Sequence, residues 1–166
     1  MTGASIEELD RLPGEDFVAA VAPLFEGAPR FLARLAAERP FGSAGALFSS
    51  ARRVARAMPE EDQLELIDAH PRLGAAPESV SPISYIEQGY DRPVTDLAED
   101  LRHLNAAYEA RFGFRYCVFV AGRPRSALLP GMEAALEADR EAEIARALDA
   151  IIDIAHDRWH KLPGAR

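Results

Sequence analysis

The sequence predicts an all-α fold: a single compact helical domain of about seven to nine helices with a buried extended segment near 114–120. Three observations lead there. Apolar residues recur at helical spacing through almost every stretch, and caps or breakers bound each run. Only Phe114 to Val120 locally resembles a strand, and a lone strand finds no partner elsewhere in the sequence. A chain of 166 residues, 48% of them hydrophobic, suits one core.

Ile6, Leu9 and Leu12 begin a short amphipathic segment that Pro13-Gly14 ends. Asp16 to Phe25 then carries Phe17, Val18, Val21, Leu24 and Phe25 on one helical stripe, closed by Gly27. Phe31, Leu32 and Leu35 form the next stripe, broken by Arg39-Pro40-Phe41-Gly42. Ser43 suits the cap of a helix with Leu47, Phe48 and Val54 inward. Pro59 fits a first helical turn, and Glu60, Glu61 and Asp62 follow where the positive helix end favours acids. Leu64, Leu66 and Ile67 lead from there to His70, where Pro71 and Gly74 stop the helix.

From Gly74 to Pro93 the chain is rich in Pro, Ser and Gly, yet Ser84-Tyr85-Ile86-Glu87-Gln88 lacks breakers and suits a single helical turn. A compact domain seldom keeps so long a loop without using it. Thr95 is read as the cap of a long helix to Phe112, with Leu97, Leu101, Leu104, Ala107 and Tyr108 on its inner face and Gly113 after it. Phe114 to Val120 is read as extended and buried. A helix follows Gly122-Arg123-Pro124 through Ala138, with Pro130 near its first turn or at a kink. The last helix runs from about Arg140 to His160, turning Ile144, Leu148, Ile151, Ile152, Ala155 and Trp159 inward.

Composition narrows the function. A formal net charge of −8, with Lys and Arg interspersed among acids, argues against nucleic-acid and anionic-membrane surfaces, which need a basic stripe. The lone cysteine, Cys117, sits in an apolar run and reads as a packed core residue, which excludes an intramolecular disulfide framework. The N-terminal residues carry Glu7, Glu8 and Asp10 and show no secretory pattern, and no apolar run approaches the roughly 20 residues needed to cross a bilayer. The cytoplasm is the expected location.

Among candidate sites, His70 stands out. An imidazole at a helix C-terminus meets partial negative charge that stabilises its protonated form, and the sharp turn after it can open a cleft. His156 and His160 lie four apart on a helix, but no third ligand is evident and Asp157-Arg158 between them is not the zinc-protease pattern. These two and His103 read as surface residues, so no metal is expected. No glycine-rich phosphate loop and no serine elbow occurs. What remains is His70, the Ser84-x-x-Glu87-Gln88 turn and an arginine such as Arg158: a proton carrier, a carboxylate and amide to orient a polar substrate, and a guanidinium for an anionic one. From spacing alone a purely structural reading stays open, with His70 capping its helix and Glu87 pairing with a surface base.

Several pieces fall in one order: Phe48 with the small and basic residues after it, His70-Pro71-Arg72-Leu73-Gly74, Ser84-x-x-Glu87-Gln88, Leu104-Asn105-x-x-Tyr108, Arg111-Phe112-Gly113-Phe114, Phe119-Val120-x-Gly122-Arg123, and Glu143 through Ile154 to Arg158. Together they resemble the 2-oxo-4-hydroxy-4-carboxy-5-ureidoimidazoline decarboxylases, which make (S)-allantoin in urate breakdown, a branch of purine catabolism. The resemblance covers nearly the whole chain. It implies an all-α fold particular to that family, usually a homodimer, acting on a small molecule with no metal or organic cofactor. It implies that His70 is the catalytic histidine, Glu87 the catalytic carboxylate, and Arg158 the arginine reaching the substrate. Pro71, Ser84 and Gln88 become substrate contacts, and Phe119 with Val118 and Val120 lines the pocket through exposed backbone groups.

On this reading Arg158 stabilises negative charge as carbon dioxide leaves, and His70 with Glu87 manages a proton that ends on the former carboxylate carbon. The chain departs from the family pattern at Arg115-Tyr116, where many members have proline and phenylalanine, at Gly89-Tyr90-Asp91-Arg92, and between Glu133 and Asp139. Two alternatives stand beside the decarboxylase: a divergent enzyme acting on another ureido or imidazoline compound, and a non-catalytic helical binding or interaction protein on the same scaffold.

Overall fold

The computed structural model describes residues 4–90 and 97–163. Among these, nine α-helices and three 3-10 helices alternate with turns, and no strand forms. The chain divides into two compact units, Met1–Ala69 with Leu148–Arg166, and His70–Ala147.

The first unit opens with α1 (Ile6–Arg11), closed at its start by a capping box. The Ser5 N–H donates to Glu8 Oε2 at 2.7 Å and the Glu8 N–H to Ser5 Oγ at 3.3 Å. Next comes α2 (Gly14–Val21), and Ala22–Phe25 forms a 3-10 turn where the sequence pattern predicts one continuous helix. Pro23 explains the break, since it has no N–H to extend the ladder. α3 (Pro29–Ala36) buries Phe31, Leu32 and Leu35 as expected. α4 (Ala44–Ala57) is capped by Ser43, whose Oγ accepts from the Ala46 N–H at 3.1 Å. α5 (Glu60–Ala69) starts just after Pro59, one position later than expected, with the Pro59 carbonyl accepting from Asp62 and Gln63.

Phe17, Phe25, Phe31, Leu35, Leu47, Leu66, Ile151 and Ala155 are fully buried in this unit. Each large apolar side chain removed from water contributes about 1.5–3 kcal/mol. Ion pairs fasten the rim. Asp62 of α5 takes Arg30 at 3.1 Å and Arg34 at 2.8 Å, both from α3. Arg52 of α4 pairs with Asp149 at 2.7 Å and Asp153 at 2.8 Å on α9 (Arg140–Lys161).

In the second unit, a 3-10 turn at Pro77–Ser79 precedes α6 (Pro82–Glu87), whose first turn Ser81 caps by accepting from the Ser84 N–H at 3.2 Å. α7 (Ala98–Phe112) ends on Gly113 at φ +80°, the left-handed cap its glycine permits. Thr95, the expected cap, lies outside the described residues. The buried stripe of α7 is Leu101, Asn105, Tyr108 and Phe112, while Ala107 is exposed and Leu97 and Leu104 are half-buried. At 100° per residue those four positions share one narrow face, and Ala107 falls well off it. The polar Asn105 takes the place periodicity gave to Ala107.

Arg115 to Val120 is extended, with no partner strand among the described residues. Phe114, Tyr116, Cys117 and Val120 are buried, and Val118 and Phe119 half-buried. After a 3-10 turn at Arg125–Ala127 comes α8 (Leu129–Ala135), with Pro130 in its first turn. It ends before the expected Ala138, because residues 136–138 close three-residue turns: Leu136 N–H to Glu133, Glu137 to Ala134, and Ala138 to Ala135.

Candidate active site

His70 follows the last residue of α5 and is 3% exposed. Pro71 forbids another helical turn there. The turn it begins has no ladder of its own, so its backbone groups need other partners. Side chains of the second unit supply them. Arg115 Nη1 donates to the His70 carbonyl at 3.1 Å and Gln88 Nε2 to that of Arg72 at 3.1 Å. Asn105 Nδ2 donates to the Leu73 carbonyl at 2.9 Å, and the Tyr90 hydroxyl to that of Ala75. The Gly74 N–H donates to Gln88 Oε1 at 2.8 Å. Arg72 itself is held by Glu109, Nη2 to Oε2 at 2.7 Å. That hydrogen bond, with the further charge of Arg115, holds the Glu109 carboxyl below its ordinary range against the opposing effect of burial.

Gln88 therefore grips the turn with both ends of its amide. It is the C-cap of α6, so the short helix carrying Ser84 and Glu87 is tied to the turn carrying His70 and Pro71. Ser84 and Gln88 are buried, and Glu87 is half-buried. The chain returns to the same place after Val120: Arg125 Nε donates to the Gln88 carbonyl at 2.9 Å, and its guanidinium lies 3.8 Å over the Tyr90 ring.

The extended segment meets the His70 turn at Arg115. Its carbonyls are less open than expected. Cys117 O accepts from Arg146 Nη1 at 2.9 Å, Phe119 O from Arg123 Nη2 at 2.6 Å, and Val120 O from Arg123 Nε at 3.0 Å. The Val120 carbonyl also accepts from the Arg123 backbone N–H at 3.0 Å, so both of its lone pairs are used.

Behind the segment lies a buried cluster that periodicity did not reveal. Arg146 binds both oxygens of Glu143 from Nε at 3.0 Å, and the Tyr108 hydroxyl donates to Glu143 Oε2 at 2.6 Å. The Arg146 guanidinium lies 4.6 Å over the Tyr116 ring. Burial first, then the bond to Glu143, push the Tyr108 hydroxyl well above its usual range, which keeps it a donor.

Arg158 belongs to the first unit. It is 1% exposed, and it donates to the carbonyls of Pro23 at 3.0 Å and Leu24 at 3.2 Å and pairs with Glu26 at 2.8 Å. Cys117 is buried, as expected, and His103 is exposed. His160 is exposed, whereas His156 is half-buried against Phe48, ring centroids 4.6 Å apart. Burial, and then the neighbouring His160, push the His156 imidazole below its ordinary range. The two histidines face each other at 3.0 Å through Nε2, but no group of three or more His, Cys, Asp or Glu among the described residues could hold a metal. An open groove of about 830 Å³ in the first unit is lined by Phe48, Ser49, Arg52, Arg53, Arg56 and His156. Its arginines pair with Asp149, Asp153 and Glu38, which leaves little net charge.

Comparison with known proteins shows the family. The model of the OHCU decarboxylase family matches residues 10–160. A 2-oxo-4-hydroxy-4-carboxy-5-ureidoimidazoline decarboxylase of Haloferax volcanii is 31% identical over 157 residues, 93% of each chain. The chain belongs to the OHCU decarboxylase family. A uric acid degradation bifunctional protein of Bacillus subtilis is also 31% identical over 157 residues, which make up 93% of this chain and 32% of that one. A solved OHCU decarboxylase, crystallised in the presence of (S)-allantoin, superposes with a TM-score of 0.69 at 20% identity, covering 86% of this chain and 95% of the other. That likeness fixes the OHCU decarboxylase fold. Asn105, Tyr90 and Arg115, which hold the turn, and Arg125, which holds the Gln88 carbonyl behind it, carry no periodic signal. The departures from the OHCU decarboxylase pattern at 89–92 and 115–116 pointed to Tyr90 and Arg115, and the matching Leu104-Asn105-x-x-Tyr108 piece held Asn105, while nothing pointed to Arg125.

Proposed function

We propose that this protein decarboxylates 2-oxo-4-hydroxy-4-carboxy-5-ureidoimidazoline to (S)-allantoin in urate catabolism, without metal or organic cofactor. Family membership across residues 10–160 carries the reading. The side-chain cage around the His70 turn supports it, since a proton-handling imidazole needs a fixed backbone.

The compound's name sets the chemistry. Hydroxyl and carboxyl share ring carbon C4, and the ureido group sits on C5, the imine carbon. Breaking the C4–carboxylate bond releases carbon dioxide and sends its electron pair toward the imine, leaving an enol at C4. That enol becomes the C4 carbonyl of allantoin as a proton lands on C5. The proton therefore ends on the carbon beside the one that lost the carboxylate, which corrects the sequence-based expectation. One proton is taken up overall, because a carboxylate leaves as a neutral gas. His70 with Glu87 carries the proton to one face of C5 and so sets the handedness.

Pro71, Ser84, Phe119, Val118 and Val120 contact the ring, and Gln88, with one amide N–H beyond the bond to Arg72, offers it a donor. Arg158 is assigned the substrate's negative charge on the family resemblance alone. The same resemblance supports residues 1–166 acting as one domain, a homodimer, and a cytoplasmic location. No helix of the described residues is long and apolar enough to cross a membrane.

The test generates the unstable substrate in place from urate with urate oxidase and hydroxyisourate hydrolase and follows the circular dichroism of (S)-allantoin. The wild type accelerates its appearance over spontaneous decay; no acceleration rejects the reading. His70→Asn keeps the melting temperature and lowers the rate by about 10²–10⁴, and an unchanged rate removes His70 from the mechanism. Sedimentation of the same samples reports the dimer.

A further inference from the structure

The turn from His70 to Ala75 has five backbone groups held by side chains, and four of those groups, in residues 72 to 75, are held by Gln88, Asn105 and Tyr90. Arg115 alone among the holders bonds His70 itself, Nη1 to the carbonyl at 3.1 Å. It also begins the extended segment whose later residues, Val118 to Val120, line the proposed pocket.

We propose that Arg115 is a positioning residue for His70: its guanidinium fixes the backbone from which the imidazole projects and links it to the pocket-lining segment. The bond is charge-assisted and so stronger than one between neutral groups. Its geometry is set from both sides. The Glu109 carboxylate, which grips Arg72 two residues beyond His70, also attracts Arg115. The segment is pinned two residues further on, where Arg146 holds the Cys117 carbonyl at 2.9 Å. A shift of Arg115 would therefore have to break contacts on either side of it. The histidine that delivers the proton and the segment that holds the ring thus move as one body, and the distance between them is preserved through substrate binding. The consequence falls on the chemical step, because proton delivery depends steeply on distance while binding of the ring depends on contacts Arg115 does not make.

The functional part of this inference rests on the decarboxylase reading, so the test has a second arm that does not. Arg115→Gln and Arg115→Lys are compared with wild type in the coupled assay and by proton NMR of the His70 ring, whose signal is identified by its loss in His70→Asn. Arg115→Gln lowers kcat about tenfold with KM changed less than about twofold. It also lowers the optical purity of the allantoin and shifts the His70 resonance, with the melting temperature kept. Lysine, which can make one charged donation to a carbonyl, recovers most of kcat and of the resonance. Wild-type kcat and an unmoved His70 resonance in Arg115→Gln overturn the proposal. So does an equal loss in both variants together with a lowered melting temperature, which marks packing alone. If wild type itself does not accelerate allantoin formation, the decarboxylase reading fails, and the resonance arm still decides whether Arg115 positions His70.

Discussion

Gly74 shows how tightly single residues are constrained at the site. Its φ is +76°, a region that side chains disfavour, and a Cβ built there would stand 2.8 Å from Leu101 Cδ1. Both the backbone and the space demand glycine. Gly74→Ala should lose about 1–3 kcal/mol of stability in urea unfolding, and it should lower activity because the Gly74 N–H is what Gln88 Oε1 holds. An unchanged midpoint would show that Leu101 gives way. The glycine was legible in the sequence as a breaker, since breaking is a local property. That Leu101 lies against it was not, because the two stand 27 positions apart in the sequence and no pattern records their approach.

Among the elements, the extended segment is the least regular. Its run of apolar residues fits a strand, a helix or a buried connector equally well, since periodicity vanishes when a segment is covered on all sides. Arginines replace the missing ladder, Arg146 at Cys117 and Arg123 at Phe119 and Val120. Arg146 depends in turn on Glu143, which is 3% exposed. Removing the guanidinium leaves that carboxylate buried with only the Tyr108 hydroxyl as a remaining partner in the cluster. Because the Arg146 side chain is itself 34% exposed, Arg146→Met should cost about 1–3 kcal/mol in denaturant unfolding, and adding Glu143→Gln should recover part of it. If the double variant is as unstable as the sum of the two single ones, the pair is not coupled. Helix spacing placed Tyr108 inward correctly. It could not show that Glu143 and Arg146, charged and three apart on α9, face the interior, because charged residues at that spacing ordinarily decorate a solvated surface.

At the scale of the whole molecule, acid stability is set by buried carboxylates, among them Asp62. It is 4% exposed, and hydrogen bonds from Arg34 and then Arg30 hold its carboxyl below the ordinary range against the effect of burial. A lowered folded value means that the unfolded chain takes up the proton first. Asp62's contribution is therefore complete above about pH 4, the unfolded carboxylate range, and is lost as pH falls through the lowered value. Asp62→Asn should destabilise the protein at neutral pH and flatten the fall of its urea midpoint between about pH 4 and pH 2. A variant as acid-sensitive as wild type would assign that fall to other carboxylates.

The sequence by itself determined the helical class, most helix ends, most of the inward stripes, the core cysteine and, through its ordered motifs, the family. Those features are local, written in spacing, caps and breakers, or held in a pattern that survives without coordinates. Tertiary structure decided the rest: that the His70 turn is caged by Arg115, Gln88, Asn105 and Tyr90, that Asn105 rather than Ala107 faces inward on α7, and that Arg158 is anchored on Pro23, Leu24 and Glu26 in the first unit. A polar side chain buried at long range gains its place only from a partner that folding supplies. One-dimensional periodicity counts apolar faces and cannot see such a partner.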